Sequence, residues 1–391
     1  MPPAERTLIP FPRAAASRKR PRDPRIDAFR GVALVMILVD HIPGNPYELL
    51  TIRNIGFSDA AEAFFVLSGI AAGLAYTGRF TPEARARAGL WPAVSPIWRR
   101  AWTLYLAQMV LTLWAIALFA SGALVLGLDG LLDSINLAPV FDTPVKALIG
   151  VPLLTHQLGY VNILPAYAVL LLAAPLAIVL GLRHPWMLAL VSAGLWLAAG
   201  IWRLNLPNFP GAGGWFFNPF AWQAVFVCGL LIGIHLRRDS RFVPRSPWLF
   251  GLALGFLVLV FAWRHLPGLG PVLNHQMARL GDLGLPFNVV SHDKTYLSLP
   301  RLLHVLALVY VLSSLDWVRR ATAHRLAAPL RLLGRQGLLA FCAGTVIALA
   351  FQVLMVHFAG QDWPAWVLPP LGVALMLGVA ALGERVKHPQ P

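Results

Sequence analysis

Charge is scarce in this sequence. Only 13% of its 391 residues are Asp, Glu, Lys or Arg, against about a quarter in a soluble globular domain. Acids are scarcer than bases, 17 against 32. Cysteine is nearly absent. Cys228 and Cys342 each lie inside an apolar run, which excludes a disulfide scaffold and offers no zinc-ligand spacing. No P-loop, dinucleotide-binding, HExxH or GxSxG signature occurs, and no internal repeat of the inverted-transporter kind stands out. What fills the chain instead is apolar. Hydrophobic residues make up 58%, in long runs such as Val110–Ala120 and Leu371–Leu382. These features specify an all-α, polytopic integral membrane protein in contact with the lipid bilayer. Fourteen tryptophans suit anchoring at the membrane interfaces.

The apolar pattern places ten transmembrane helices near 27–42, 58–78, 98–127, 160–181, 185–203, 218–236, 247–264, 298–315, 336–357 and 364–382. Pro43 and Gly44 stop the first, which is short for a span. With the N-terminus in the cytoplasm, the inner segments and the boundary residues Arg30 and Arg237 hold 25 of the 32 Lys and Arg residues. The inverted arrangement would break the positive-inside rule. Both termini are therefore expected in the cytoplasm. Residues 1–24 form a basic, proline-rich tail rather than a signal peptide, 25–382 the membrane body, and 383–391 a second tail. The net charge of +15 reflects this topology and implies no nucleic-acid partner. The outer loops, about 128–159 and 265–297, are too small for a separate catalytic domain. The outer stretch Asn205–Asn218 suits a sugar-binding lip and equally a plain interfacial turn.

Ionisable groups inside apolar helices are costly and mark function. Arg30 and His41 are eleven residues apart, close to three whole helical turns, and so share a face. The rise between them is roughly 16 Å, about half the hydrocarbon thickness. A histidine at that depth can accept a proton from a hydroxyl near neutral pH. Asp59 and Glu62 enter the next helix on one face, where either could orient the imidazole or hold an acceptor hydroxyl. Asp59 also has the spacing of a helix cap. Asp40 adjoins His41 but cannot face it, and Arg53 is a better partner for it. Ser68, Gly69, Ala72 and Gly73 allow close approach of a helix or a ligand. Asn162, Trp222, Gln223, Arg301 and His304 all fall toward the outer side and suggest one polar cavity there. Arg99, Arg100 and Arg335 lie at the opposite mouth, as phosphate contacts or as snorkelling surface arginines.

The segments "RIDAFRGVALVMILVDHIPGN" and "TIRNIGFSDAAEAFFVLSG", with the later "YVNILPAYAVLLLAAP", "NPFAWQAVFVCG", "RLLHVLALVY" and "LLGRQGLLAFCAGT", resemble the OpgC family. The resemblance runs from about Arg22 to Ala380. That family lies within the acyltransferase-3-like membrane enzymes, which share an arginine, ten residues and a histidine in the first core helix, matched here by Arg30 and His41. Ser68 and Gly69 match its "SG" element, though Ile70 stands where an aromatic often follows. The resemblance implies a bacterial inner-membrane enzyme that succinylates osmoregulated periplasmic glucans. It also implies a cytoplasmic acyl-CoA donor, succinyl-CoA, as co-substrate, with no tightly bound cofactor or metal. His41 would be the base, helped by Glu62 or Asp59. Arg30, Arg99, Arg100 and Arg335 would serve the donor. Arg53, Asn162, Trp222, Gln223, Arg301 and His304 would line the acceptor side. Arg53, Arg301 and Lys294 are the cations available to a succinyl carboxylate. Two other readings remain open at this point: a glycan or organic-anion transporter, and a non-catalytic assembly protein. Oligomeric state is not legible.

Overall fold

The computed structural model describes residues 23–387. The basic tail expected over 1–24 therefore lies almost wholly outside the described residues, as does the end of the C-terminal tail. Ten helices of 16 or more residues carry the described fold: α1 (Pro24–Asp40), α2 (Ala60–Tyr76), α3 (Trp91–Leu126), α4 (Ile163–Arg183), α5 (Pro185–Ile201), α6 (Pro219–Arg237), α7 (Pro247–His265), α8 (Leu299–Ser314), α9 (Gly337–His357) and α10 (Trp363–Lys387). They coincide with the ten expected segments. Proline, which fits the first helical position because no hydrogen bond is lost there, opens α1, α5, α6 and α7. Asp23, Asn218 and Ser246 cap three of these with their side chains.

Seven of the ten, α2, α3, α4, α6, α7, α9 and α10, are long and apolar enough to cross a bilayer. An eighth counts if α8 and the following helix Asp316–Ala323, bent by 81°, form one broken span. Of the ten expected spans, length and composition alone support seven, or eight with the bent pair. α1 and α5, at 17 residues each, fall short of the roughly 20 a span needs, whereas the helical path of α2 runs on to Arg79, 20 residues in all. At the other extreme α3 has 36 residues, starting two turns before the expected boundary.

α2 and α6 form the centre. Their contact is backbone to backbone. A Cβ at Gly69 would fall 2.8 Å from the Leu230 nitrogen, and one at Gly73 2.8 Å from the Gly233 Cα. Gly229 and Gly233 make the reciprocal approach to Val66 and Ile70. Small residues four apart on both helices are what permit this distance. Phe65, Trp222 and Phe226 fill the space beside the crossing, with the Phe65 and Trp222 rings 4.9 Å apart. A second crossing of the same kind joins α1 to the short helix Ala328–Arg335, where Gly31 meets Leu330 and Gly334 meets Asp27. α7 sits at the periphery, with Val260 its only buried residue.

Candidate active site

Helix α1 ends at Asp40, and His41 is its C-cap residue (φ −99°, ψ 2°). The His41 Nδ1 is hydrogen-bonded to the Ile37 carbonyl oxygen one turn back. A carbonyl only accepts, so Nδ1 carries the proton and Nε2 is left with its lone pair. The Tyr160 ring stands edge-on to the imidazole, with centroids 4.9 Å apart at 81°. Tyr160 itself adopts left-handed backbone geometry, φ 66°, a costly conformation for a non-glycine residue. His41 and Tyr160 open into a narrow crevice with room for about one water molecule. One face of α9 forms its other wall, through Gly344, Thr345, Ala348 and Gln352. Gln352 Nε2 donates to the His41 carbonyl oxygen at 2.8 Å.

The two acids of α2 turn elsewhere. Asp59 caps the helix, accepting from the Ala61 nitrogen at 2.8 Å, while Glu62 Oε2 accepts from the Asp59 nitrogen at 2.9 Å. Their remaining oxygens meet two cations from distant sequence. Lys294 Nζ lies 2.5 Å and Arg301 Nη2 3.1 Å from Asp59 Oδ2, and Arg301 Nη2 lies 2.6 Å from Glu62 Oε1. Glu62 is fully buried, and a buried charge persists only when paired in this way. Neither carboxylate bonds His41; the Ile37 carbonyl orients the ring instead. Asp59, Lys294 and Arg53 remain within electrostatic reach of the imidazole. Lys294 is held in place through its backbone, whose carbonyl accepts from Trp222 Nε1 at 3.0 Å. In the same segment His292 rests on Phe57, 4.3 Å between centroids. Burial, reinforced by Arg301 and Arg264, holds its imidazole below the ordinary value.

The other outer polar residues separate into distinct roles. Gln223 donates to the Ser192 and Phe220 carbonyls and accepts from the Ser192 hydroxyl, tying α6 to α5. Trp222 is buried. His304 is buried with Nδ1 accepting from the Ser58 hydroxyl at 2.7 Å and its ring seated on Gly56. Asn162 precedes α4 and makes no side-chain cap. Arg53 is exposed on the short helix Ile52–Ile55. Asp40 Oδ1 is buried without a hydrogen bond; the carboxyl group bonds Thr51, and Arg53 acts on it only through its charge. The stretch Asn205–Asn218 closes on itself, through Asn205 Nδ2 to the Trp215 carbonyl and Asn218 Nδ2 to the Leu204 carbonyl.

At the basic end, a larger cavity of about 260 Å³ is lined by four cations, Arg30, Arg100, Arg335 and Lys387, together with Ser68 and Tyr76. Arg30 Nη1 donates to the Gly334 carbonyl at 3.3 Å. Arg335 pairs with Glu384 at 3.2 Å, and Lys387 donates to Gln336 Oε1 at 2.7 Å. Four cations facing one acid give this cavity a positive potential. Arg99 is exposed and does not line it, since adjacent helical residues point about 100° apart. Phe64, Tyr167 and Phe341 close the inner end of this cavity, with Phe64 centred 5.8 Å from each of the other two rings. One turn further along α9, Thr345 donates to the Phe341 carbonyl at 2.9 Å and lines the His41 cavity. The small-residue stripe of α2 serves both purposes: Gly69 and Gly73 meet α6, while Ser68 and Ala72 line the basic cavity.

Sequence reasoning missed Tyr160, Thr345, Gln352, Tyr167, Phe341 and Lys387. Thr345 and Gln352 did carry a signal: two polar residues seven apart in an apolar run share a helical face. Lys387 was concealed by its place in an expected tail.

No curated protein gives a significant match to the chain. Residues 22–388 match the family model described as OpgC protein, nearly the whole length and every element that builds the two cavities. This all-helical, multi-pass inner-membrane protein therefore belongs to the OpgC family.

Proposed function

We propose that this protein is an acyl-CoA-dependent O-acyltransferase that moves a succinyl group from the cytoplasmic side to a hydroxyl of a periplasmic glucan. Membership of the OpgC family and the membrane-embedded helical body support a membrane acyltransferase. The observation that carries the finer reading is the shared face of α1. Arg30 opens into the basic cavity and His41 into the small one. The two adjoin along α9 at Phe341 and Thr345.

In this reading the basic end is cytoplasmic, as the Lys and Arg distribution requires. The phosphates of the donor lie against Arg30, Arg100 and Arg335, with Lys387 beside them, and the thioester arm reaches past Phe64 and Phe341. His41 Nε2 takes the proton of the acceptor hydroxyl. The hydroxyl oxygen attacks the thioester carbon, the C–S bond breaks, and the departing thiolate takes up the proton. Arg301 and Gln223 are committed to protein partners. Asn162, two residues from Tyr160 and without a cap bond, is the proposed donor to the developing oxyanion. Asp59 and Glu62 act by fixing Lys294 and Arg301 at the outer rim rather than by touching the proton. Of the three outer cations, Lys294 and Arg301 are ion-paired, which leaves Arg53 to meet a succinyl carboxylate. Trp222 and His304 support the acceptor side from within the core.

The test is reconstitution of the full chain with a set of acyl-CoA donors and a β-glucan acceptor, read by mass spectrometry of the product. Succinyl transfer by the native chain and its loss in His41→Ala, with the protein still folded, is the expected outcome. Undiminished transfer by that variant would overturn the role of His41. Translocation of glucan without acylation would replace the proposal by a transport function.

A further inference from the structure

At the basic end the chain turns out of line. The helix Asp316–Ala323 leaves α8 at 81°. With α8 set along the bilayer normal, a helix leaving it at that angle lies close to the plane of the membrane. Its inner side is fixed to the protein through buried Val318. Arg331 closes the elbow from the next helix, donating to the Thr322 and His324 carbonyls at 2.5 and 2.8 Å. The outer side is different. Trp317 is 56% and Leu326 81% exposed. Arg319, Arg320 and Arg325 are exposed beside them, and their guanidinium groups make no hydrogen bond among the described residues.

Two observations fix the occupant. Trp91, Trp186 and Trp248 stand in the first two positions of α3, α5 and α7 at this same end, all strongly exposed. Trp317, the second residue of its helix, extends this series, and exposed tryptophans at helix ends mark headgroup depth. Three arginines interleaved with an indole and a leucine are complementary to an anionic phosphate layer above hydrocarbon.

We propose that residues 316–335 form a binding surface for anionic phospholipid headgroups. Arg319, Arg320 and Arg325 take phosphate oxygens, and Trp317 and Leu326 enter the interface. The seat also reaches the basic cavity. The helix Ala328–Arg335 packs against α1 at Gly31 and Gly334, accepts from Arg30 at the Gly334 carbonyl, and carries Arg335 on the cavity wall. This inference does not depend on the proposed acyl transfer.

It is tested on the full chain in nanodiscs of phosphatidylcholine with increasing phosphatidylglycerol, reading melting temperature and the lipids retained in native mass spectrometry. The native chain should melt higher with phosphatidylglycerol and retain it selectively. In R319Q/R320Q/R325Q, affinity should fall on the order of fivefold for each arginine removed, and most of the shift should go. R319K/R320K/R325K, which keeps the charges, should restore it. An undiminished shift in the glutamine variant overturns the proposal, whatever that variant's stability in pure phosphatidylcholine. So does full reproduction of the shift by soluble glycerol phosphate, which would mean a phosphate site with no need of a leaflet.

Discussion

Gln352 of α9 donates to the backbone carbonyl of His41 at 2.8 Å, across 311 residues of sequence. The bond holds the end of α1 against the wall of its own cavity. Gln352→Leu keeps the volume and removes the donor. It should cost about 1 kcal/mol of stability and lower kcat more than KM, because what is lost is the placement of the imidazole. Steady-state kinetics in detergent or nanodiscs, beside a melting curve, separates the two effects.

The arginines at the basic end should divide by position rather than by charge. Arg30→Ala and Arg335→Ala each remove a cavity cation and should raise KM for an acyl-CoA donor about tenfold, the cost of one charge-assisted hydrogen bond. Arg99→Ala removes an exposed cation outside the cavity and should leave KM unchanged. Donor titrations on the three variants decide this, and equal effects at Arg99 and Arg335 would mean that bulk charge alone is sensed.

Glu62 and Arg301 form a buried pair at 2.6 Å. Glu62→Gln leaves Arg301 with only the Asp59 carboxylate and should destabilise by about 3–5 kcal/mol. Glu62→Gln combined with Arg301→Met removes both charges and should recover part of that loss. Thermal unfolding of the two variants gives the answer. A double variant no more stable than the single one would show that Arg301 is needed by Lys294 and Asp59 as much as by Glu62.

His292 supplies a pH dependence. Its folded-state pKa lies below the ordinary histidine value, because burial and two nearby arginines disfavour the cation. The unfolded chain therefore binds the proton more readily, so this residue costs stability as pH falls through the ordinary value. His292→Phe should melt with a smaller drop than the native chain between about pH 7 and about pH 5. Identical drops would place the acid sensitivity elsewhere.

What was legible in the sequence followed from periodicity. The phase shared by Arg30 and His41, the stripe of small residues in α2 and the helix-opening prolines are local, and all depend on repeats of 3.6 residues. The assembled site is not local. Lys294 and Arg301 reach Asp59 and Glu62 across more than 230 residues, and nothing in either segment alone announces the pairing. The same holds for the imidazole. A neighbouring acid was the natural candidate to orient His41, yet the bond goes to the carbonyl of Ile37, which every residue possesses and no pattern can single out. Tyr160 was hidden for another reason: it works from a loop, through a backbone conformation that its side-chain type does not favour. Ten apolar helices were legible, but how many of them span depends on exact helix length, which was not.

The eleven residues between Arg30 and His41 make α1 both a ruler and a phase lock. One residue inserted between them would lengthen the reach by only about 1.5 Å but swing His41 by about 100°, from its cavity into the packing of a neighbour. Removing a whole turn would keep the direction and shorten the reach by about 5 Å. Any molecule that must touch both cavities at once is therefore measured by this helix, and its length is tolerated in steps of a turn rather than continuously.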